Sequence, residues 1–413
     1  MSEQATLRLE LQAATGSWVD VGFLRKSGSK NWFEFSETYW DLPDRPVLGQ
    51  IFEEEGRTYR PSSWVALPHW FSHLLPEGRL RQAVAEAAHT ASIHEFDLLA
   101  RIGQDDLPGA LRATTVSSPT DLSIPPERAR DETDAGRVDP LLKFSLAGAQ
   151  LKFSVLADDR GLTVPAKGEA GNVILKFPDG RAGFSGVPEA ELGCIELARL
   201  SGLRTPAARL WRPAEVSGLE EWARRTSGMA LAVDRFDRLT SGRRVHMEEL
   251  AQIMNVPTKP DGAKYQRANF ETVAMHASAL SGLDSVGEVI DRIVLNVIVG
   301  NGDAHLKNWA FSYPDGRVPV LSPVYDVLPT VLYVPDDDLG LKLDGQRRFE
   351  AVAAHSFVRL GERSGYGGGL AAQRAADAVG KIMSNWRLLR DHLAREQYEV
   401  LTKRHRTLAL LAS

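Results

Sequence analysis

An α+β chain, rich in strands toward its N-terminus and mainly helical toward its C-terminus, is what the sequence predicts, on three observations. Residues from about Thr6 to Phe35 alternate in the manner of a small antiparallel sheet. From about Ala268 onward the pattern is mostly helical, with Ile290, Ile293, Val294, Val297 and Ile298 forming one apolar stripe. At 413 residues the chain exceeds one ordinary core, so two or three domains or lobes are expected.

Taken in order, residues 1–113 read as a small β-rich subdomain whose later part, Trp70 to Arg101, is helical. The phrase Phe71-Ser-His-Leu-Leu-Pro-Glu-Gly78 is better explained as an apolar helix ended by a turn than as an active loop. Residues 114–140 form a linker or exposed loop, because Pro119, Pro125, Pro126 and Pro140 interrupt a polar stretch. In residues 141–240, Leu141 to Leu156 and Asn172 to Phe177 are strand-like, and Pro188 to Ser201 is a helix with a proline start and a Gly202 stop. Residues 241–413 are the mainly helical part, broken by two short strands, Trp309 to Tyr313 and Val318 to Leu321, around the turn tripeptide Pro314-Asp315-Gly316. The Gly365-Tyr-Gly-Gly-Gly369 cluster reads as a loop. Leu339 to Phe349, which mixes Lys, Asp and Arg, reads as a solvated face in preference to an acceptor groove.

Composition narrows the function classes. With 43% hydrophobic and 25% charged residues the chain is globular, and its formal net charge of −5 offers no general attraction to nucleic acid. Cys194 is the only cysteine, so neither an intramolecular disulfide nor a Cys-based zinc site is expected. No apolar run approaches membrane-spanning length and Met1-Ser-Glu-Gln lacks signal-peptide character, which predicts a cytoplasmic protein without a membrane anchor.

The chemistry concentrates in Val299-Gly-Asn-Gly-Asp-Ala-His-Leu-Lys-Asn308 and Pro323-Val-Tyr-Asp326. Gly300 and Gly302 let the chain leave the preceding helix sharply and turn Asp303 into a cleft. The hairpin then brings Asp326 back beside Asn308. An Asp, an Asn five residues on and a second Asp are the groups of a metal-dependent phosphoryl-transfer site. The first carboxylate accepts the acceptor's hydroxyl proton, and the other two hold the Mg²⁺ that bridges nucleotide phosphates. Each residue alone would be better explained as a cap, a strand start or a surface carboxylate; the spacing favours an ATP-dependent kinase. His305 orients Asp303, touches phosphate or is simply structural, and is not read as a metal ligand.

Two further segments suit nucleotide. Phe144-Ser-Leu-Ala-Gly-Ala-Gln-Leu-Lys152 places small residues between strand-like flanks, where backbone amides can wrap phosphate, although alone it is better read as an ordinary hairpin. Lys176 is a charge inside the apolar strand Val173-Ile-Leu-Lys-Phe177. A buried ammonium needs a partner, either phosphate or Glu191 on the following helix. The alternative is a lysine on the solvent face of an edge strand.

These segments, with Leu231-Ala-Val-Asp-Arg-Phe-Asp-Arg238, together resemble the HipA family, the serine/threonine kinase toxins of bacterial type II toxin–antitoxin pairs. Leu74-Leu-Pro-Glu-Gly78 and Phe96-Asp-Leu-Leu99 are similar to the N-terminal subdomain of full-length members. The resemblance implies a two-lobed protein-kinase-like fold. Residues 1–113 then form the HipA-like N-terminal subdomain, 141–240 the nucleotide-binding N-lobe and 241–413 the C-lobe with the catalytic and metal-binding loops. It implies Asp303 as the catalytic aspartate, Asn308 and Asp326 as Mg²⁺ ligands and Lys176 as the phosphate-binding lysine. Ala147, Gly148, Ala149, Gln150, Leu151 and Lys152 match the loop around ATP, and Asp234, Arg235 and Phe236 the segment contacting adenine. His305, Lys307 and Tyr325 belong to the same nucleotide site. Ser145 matches a serine that members autophosphorylate, which ejects the loop; a phosphate adds about −1.5 to −2 charge and cannot remain beside ATP. Two departures stand out, Asp234 where some relatives carry Glu and Leu151 where an acidic residue is common.

The implied partners are a protein substrate, a translation factor for instance, and a small helix-turn-helix antitoxin (HipB-like) that carries the DNA contact, with a homodimer within the antitoxin complex. Two other functions stay open at this point: a small-molecule kinase of the aminoglycoside or fructosamine type, and a role mainly as corepressor for the antitoxin.

Overall fold

The computed structural model describes residues 4–76, 81, 94–104, 106–116, 151–159, 161–166, 169–178, 180–181, 183–260, 262–334 and 336–412. Ser145 and the loop residues Ala147, Gly148, Ala149 and Gln150 lie outside the described residues, as do most of the 114–140 segment and Glu77 and Gly78.

Three antiparallel sheets organise these residues. The first joins β1 (Gln4–Gln12), β2 (Trp18–Ser27), β3 (Lys30–Phe35), β4 (Ser62–Trp64) and β5 (Leu111–Thr115) in the order β4-β3-β2-β1-β5. Its alternation sends Leu7, Leu9, Leu11, Leu24, Phe33 and Phe35 into the core, as the period-2 pattern requires. The strand β1 lies between β2 and β5, and its opposite face is also covered, so Glu10 is buried and forms an ion pair with Arg112 at 2.6 Å. Helices His69–Ser72 and Glu95–Ile102 pack Trp70, Phe71, Phe96 and Leu99 against this sheet's core cluster.

The second sheet contains β6 (Lys152–Asp158), β7 (Gly161–Thr163), β8 (Val173–Lys176), β9 (Ala208–Trp211) and β10 (Ala230–Asp234), in the order β7-β6-β8-β10-β9. Apolar residues of β6, β8 and β10 join the core cluster of the first sheet, so one apolar interior runs through both. Helix Val187–Leu200 covers the second sheet, with Pro188 at its first turn and Gly202 in the left-handed region at φ 92° after its end.

A third, small sheet, β11 (His246–Glu249), β12 (Ala310–Tyr313) and β13 (Val320–Leu321), contains the expected hairpin. Helix Phe270–Ser281 packs against β13, helices Asp284–Val299 and Ser356–Ser364 pack against that helix, and Gly368–Asn385 packs against those two. The Asp284–Val299 helix is buried on nearly every side because it is the core of this part, with Val286, Val289, Ile290, Ile293, Val294, Val297 and Ile298 fully buried.

Two expectations need correction. The described residues of 322–355 form no α-helix, only short 3-10 turns: Pro323 and Pro329 interrupt them, and Asp326, Asp336 and Asp344 take positive φ. The Gly365–Gly369 cluster is only partly a loop, since Gly365 ends one helix and Gly368 begins the next.

Buried polar groups fasten the first sheet's surroundings to the rest. Glu248 on β11 accepts from the Gln50 amide at 2.9 Å, from Trp70 Nε1 at 3.0 Å and from the Tyr313 hydroxyl. Burial pushes its carboxyl up to about 7 against these three donors. A folded value raised above the unfolded 4.5 means that its stabilising contribution is complete below about 4.5 and is lost as pH rises through about 7. That loss amounts to about 3 kcal/mol. His246, His305 and His405, held down to about 4 by burial, act in the opposite sense, losing stability as pH falls below 6.5. The difference between wild type and Glu248→Gln in urea midpoints across this range therefore isolates the carboxylate. Wild type is expected to lose stability relative to the variant as pH rises, and parallel curves would refute the assignment.

Candidate active site

The long buried helix ends where the chemistry begins. Gly300 caps Asp284–Val299 in the left-handed conformation at φ 78°, and the next turn is fixed by a relay of side chains. The Asn296 Oδ1 accepts from Asn301 Nδ2 at 3.0 Å, and Asn301 Oδ1 in turn accepts the Asp303 amide at 3.0 Å. The Gly302 amide donates to Thr330 Oγ1 at 2.6 Å, and Thr330 donates to Asp337. A Cβ on Gly302 would lie 2.3 Å from the Asp337 carboxylate, so this turn requires glycine. Asp303 is thus delivered on a rigid turn with its side chain 53% exposed at the cleft.

Around Asp303 the groups are specific. Its Oδ1 accepts the Tyr265 hydroxyl, and its backbone carbonyl accepts Asn308 Nδ2 at 2.7 Å. His305 Nε2 stands 3.7 Å from Asp303 Oδ1, and the imidazole packs edge-on to Tyr265. Burial holds His305 down to about 4, so it is neutral near pH 7 and adds no charge beside the carboxylate.

Opposite lies the strand pair β6 and β8, where Lys152 and Lys176 are cross-strand partners and therefore project to the same side. Lys176 forms ion pairs with Glu191 at 2.5 Å and with Asp326. Burial acts against its charge, but Asp326 and Glu191 hold the ammonium well above its ordinary value. Burial would likewise raise Asp326, yet Lys176 and then Lys152 hold it well below the usual carboxylate range. Lys152 is shifted down, chiefly by burial. Asp326 takes φ 52°, a left-handed conformation for a non-glycine residue that a packed surrounding must maintain.

These residues border one cavity of about 1020 Å³, which brings together Leu151, Lys152, Lys176, Asp234, Arg235, Phe236, Asp303, His305, Lys307, Asn308, Tyr325 and Asp326. The Phe236 and Tyr325 rings lie 5.6 Å apart, and Tyr325 donates to the Lys307 carbonyl at 2.8 Å. Lys307 itself is buried, 3.6 Å from Glu249. Asp234 sits on the rim, paired with Arg209 at 2.9 Å. Arg235 borders the cavity, but its guanidinium is committed elsewhere: it is buried between Asp106 at 2.7 Å and Asp237 at 2.8 Å. Sequence reasoning missed Tyr265, Thr330 and Asp337, which no motif marks.

The donor set suits a hard cation. Among the described residues no group of three His, Cys, Asp or Glu side chains converges as a cation cage. The Asn308 carboxamide and Asp326 carboxylate instead offer two oxygens, which fits Mg²⁺ completed by phosphate oxygens and water. A cleft that sets two ammonium groups against these oxygens suits a phosphorylated ligand with its counter-cation.

The fold is that of a known family. The chain matches the HipA N-terminal domain over residues 16–114 and the HipA-like C-terminal domain over residues 144–386, and it belongs to the HipA family. It is 36% identical to Y4dM of Sinorhizobium fredii over 86% of this chain and 85% of that one, and 29% identical to Y4mE of the same organism over 89% and 87%. The names of both relatives carry the word kinase. It shares its fold with HipA of Shewanella oneidensis MR-1, solved with HipB and operator DNA, at a TM-score of 0.67 and 16% identity over 98% of this chain and 96% of that one. Among the described residues no helix is long and apolar enough to cross a membrane.

Proposed function

We propose that the chain is an ATP-dependent serine/threonine-protein kinase, the toxin of a type II toxin–antitoxin pair acting in the cytoplasm. The observation that carries this reading is the convergence of Asp303, Asn308, Asp326 and the Lys176–Glu191 pair on one cavity. Kinase-named relatives and the shared HipA fold support it.

In this reading Lys152 and Lys176 bind the phosphates of ATP, while Phe236 and Tyr325 border the nucleotide. Asn308 and Asp326 hold Mg²⁺. When bound, that cation neutralises charge on the phosphates. Asp303 accepts the proton of a Ser or Thr hydroxyl whose oxygen forms the new bond to the γ-phosphorus, as the bond from that phosphorus to the β,γ-bridging oxygen breaks and ADP leaves. The Asn301–Asn296 relay keeps Asp303 in position. The partition into 1–113, 114–140, 141–240 and 241–413 belongs to the same proposal, as do a protein substrate, a HipB-like antitoxin carrying the DNA contact and a homodimer within that complex.

Intact mass of the purified chain, incubated with MgATP after it is shown to begin unphosphorylated, tests the reading. Wild type is expected to gain one phosphate, and Ser145→Ala and Asp303→Asn to gain none. No gain in wild type would overturn the self-phosphorylating kinase.

A further inference from the structure

The place where an acceptor hydroxyl must dock is already marked, because the Tyr265 phenol donates to Asp303 Oδ1, the atom assigned to take the acceptor's proton. Tyr265 is not isolated there. It and Arg347 form the wall between the catalytic cavity and a second cavity of about 660 Å³, and both residues border each of the two. A chain segment that replaces the phenol at Asp303 therefore lays its neighbouring residues into the second cavity.

That cavity is built and positively charged. Its floor is pinned where Asn269 bridges Lys342 and the Phe270 amide donates to the Lys342 carbonyl at 2.9 Å. Arg347 is fixed by donation to the carbonyls of Leu339 at 3.0 Å and Tyr265 at 2.7 Å. Arg267 and Lys342 are exposed at its mouth, and neither forms an ion pair with a described residue. Its described lining contains these three cations and no carboxylate; Asp338, which borders the catalytic cavity, stands 3.7 Å from Arg347, so Arg267 and Lys342 supply most of the charge open to a ligand.

We propose that this cavity is the acceptor subsite and that it selects an acidic protein segment, with a Glu or Asp side chain flanking the phosphorylated Ser or Thr. The assignment rests on the kinase reading and names the substrate class for it. A polypeptide fits better than nucleic acid. A carboxylate can enter singly, whereas a phosphodiester backbone continuing toward Asp303 would pass Asp337 and Asp338, which also border the catalytic cavity. Leu339 to Phe349 is thus more than a solvated face: Leu339, Leu341 and Leu343 are buried anchors that present Lys342 and Arg347.

The test is fluorescence anisotropy on the full chain with two labelled serine-centred peptides, identical except for Glu or Gln on both sides of the serine. Wild type is expected to bind the Glu peptide about fivefold to tenfold tighter, the effect of a few partly exposed ion pairs. The double variant Arg267→Glu, Lys342→Glu should lose or invert that preference, and the milder Lys342→Gln should reduce it, with melting curves confirming that each is folded. Equal or undetectable binding of the two peptides by wild type, or an unchanged preference in the folded double variant, overturns the proposal. A single-stranded RNA that displaces the Glu peptide from the same residues also overturns it, in favour of a nucleic-acid site. Binding needs no turnover, so failure of phosphotransfer in the mass assay counts against the kinase reading alone.

Discussion

Asp303→Asn is expected to lower phosphotransfer by about 10² or more while leaving the fold and nucleotide binding intact. The substitution keeps size and shape and removes only the ability to take a proton. Asparagine can still accept the Tyr265 hydroxyl through its carbonyl oxygen and still donate its own backbone amide to Asn301 Oδ1, so the turn has no reason to rearrange. The side chain is more than half exposed, and stability should move by no more than about 0.5 kcal/mol. Single-turnover transfer from labelled ATP, paired with a nucleotide titration and a melting curve, separates these effects. A rate near that of wild type would remove Asp303 from the chemistry. A large fall in melting temperature would instead make it a structural residue of the turn.

Much of this site is visible in the sequence because it is local. Asp303, His305, Lys307 and Asn308 follow one apolar helix and a glycine pair, and Asp326 returns through a hairpin whose turn is written as Pro314-Asp315-Gly316. The Lys176–Glu191 pair was open to inference because a charge inside the apolar β8 must find a partner. What could not be read depends on contacts between distant residues. Tyr265 reaches Asp303 from 38 positions away, and the segment carrying it has no periodic pattern. The strand β11 alternates in burial but not in hydropathy, because Leu48, Gln50 and Trp70 hydrogen-bond its His246 and Glu248 and polar residues so occupy its interior positions. Residues 322–355 carry enough leucine to suggest helices, yet their prolines and positive-φ aspartates set the backbone. Arg235 shows the same limit: its position beside Asp234 and Phe236 implies the nucleotide, while a carboxylate 129 residues earlier takes its side chain.

That carboxylate makes Arg235→Met the largest stability effect we expect. The guanidinium is buried, donating to both oxygens of Asp237 at 2.9 and 2.8 Å and to Asp106 at 2.7 Å. Arg238 reaches the same two aspartates at 2.7 and 2.9 Å, and Gly109 donates its amide to Asp237 at 2.8 Å. Burial alone would raise Asp237, but Arg235 and Arg238 hold it well below the usual carboxylate range. Removing one arginine leaves two buried carboxylates sharing the other, at a cost of about 3 kcal/mol, reduced if Arg244 moves closer. Because Asp237 is depressed, this stabilisation is present above the unfolded value of 3.8 and is lost as pH falls toward the folded one. Urea midpoints of wild type and variant should therefore differ most near neutrality and converge in acid. The effect should also reach the site, since Asp106 precedes β5 of the first sheet while Asp234, Phe236 and Asp237 border the catalytic cavity. A variant as stable as wild type would mean that Arg238 alone carries the junction. A destabilised variant that binds nucleotide with unchanged affinity would show instead that the first sheet is fastened to the rest independently of the cleft.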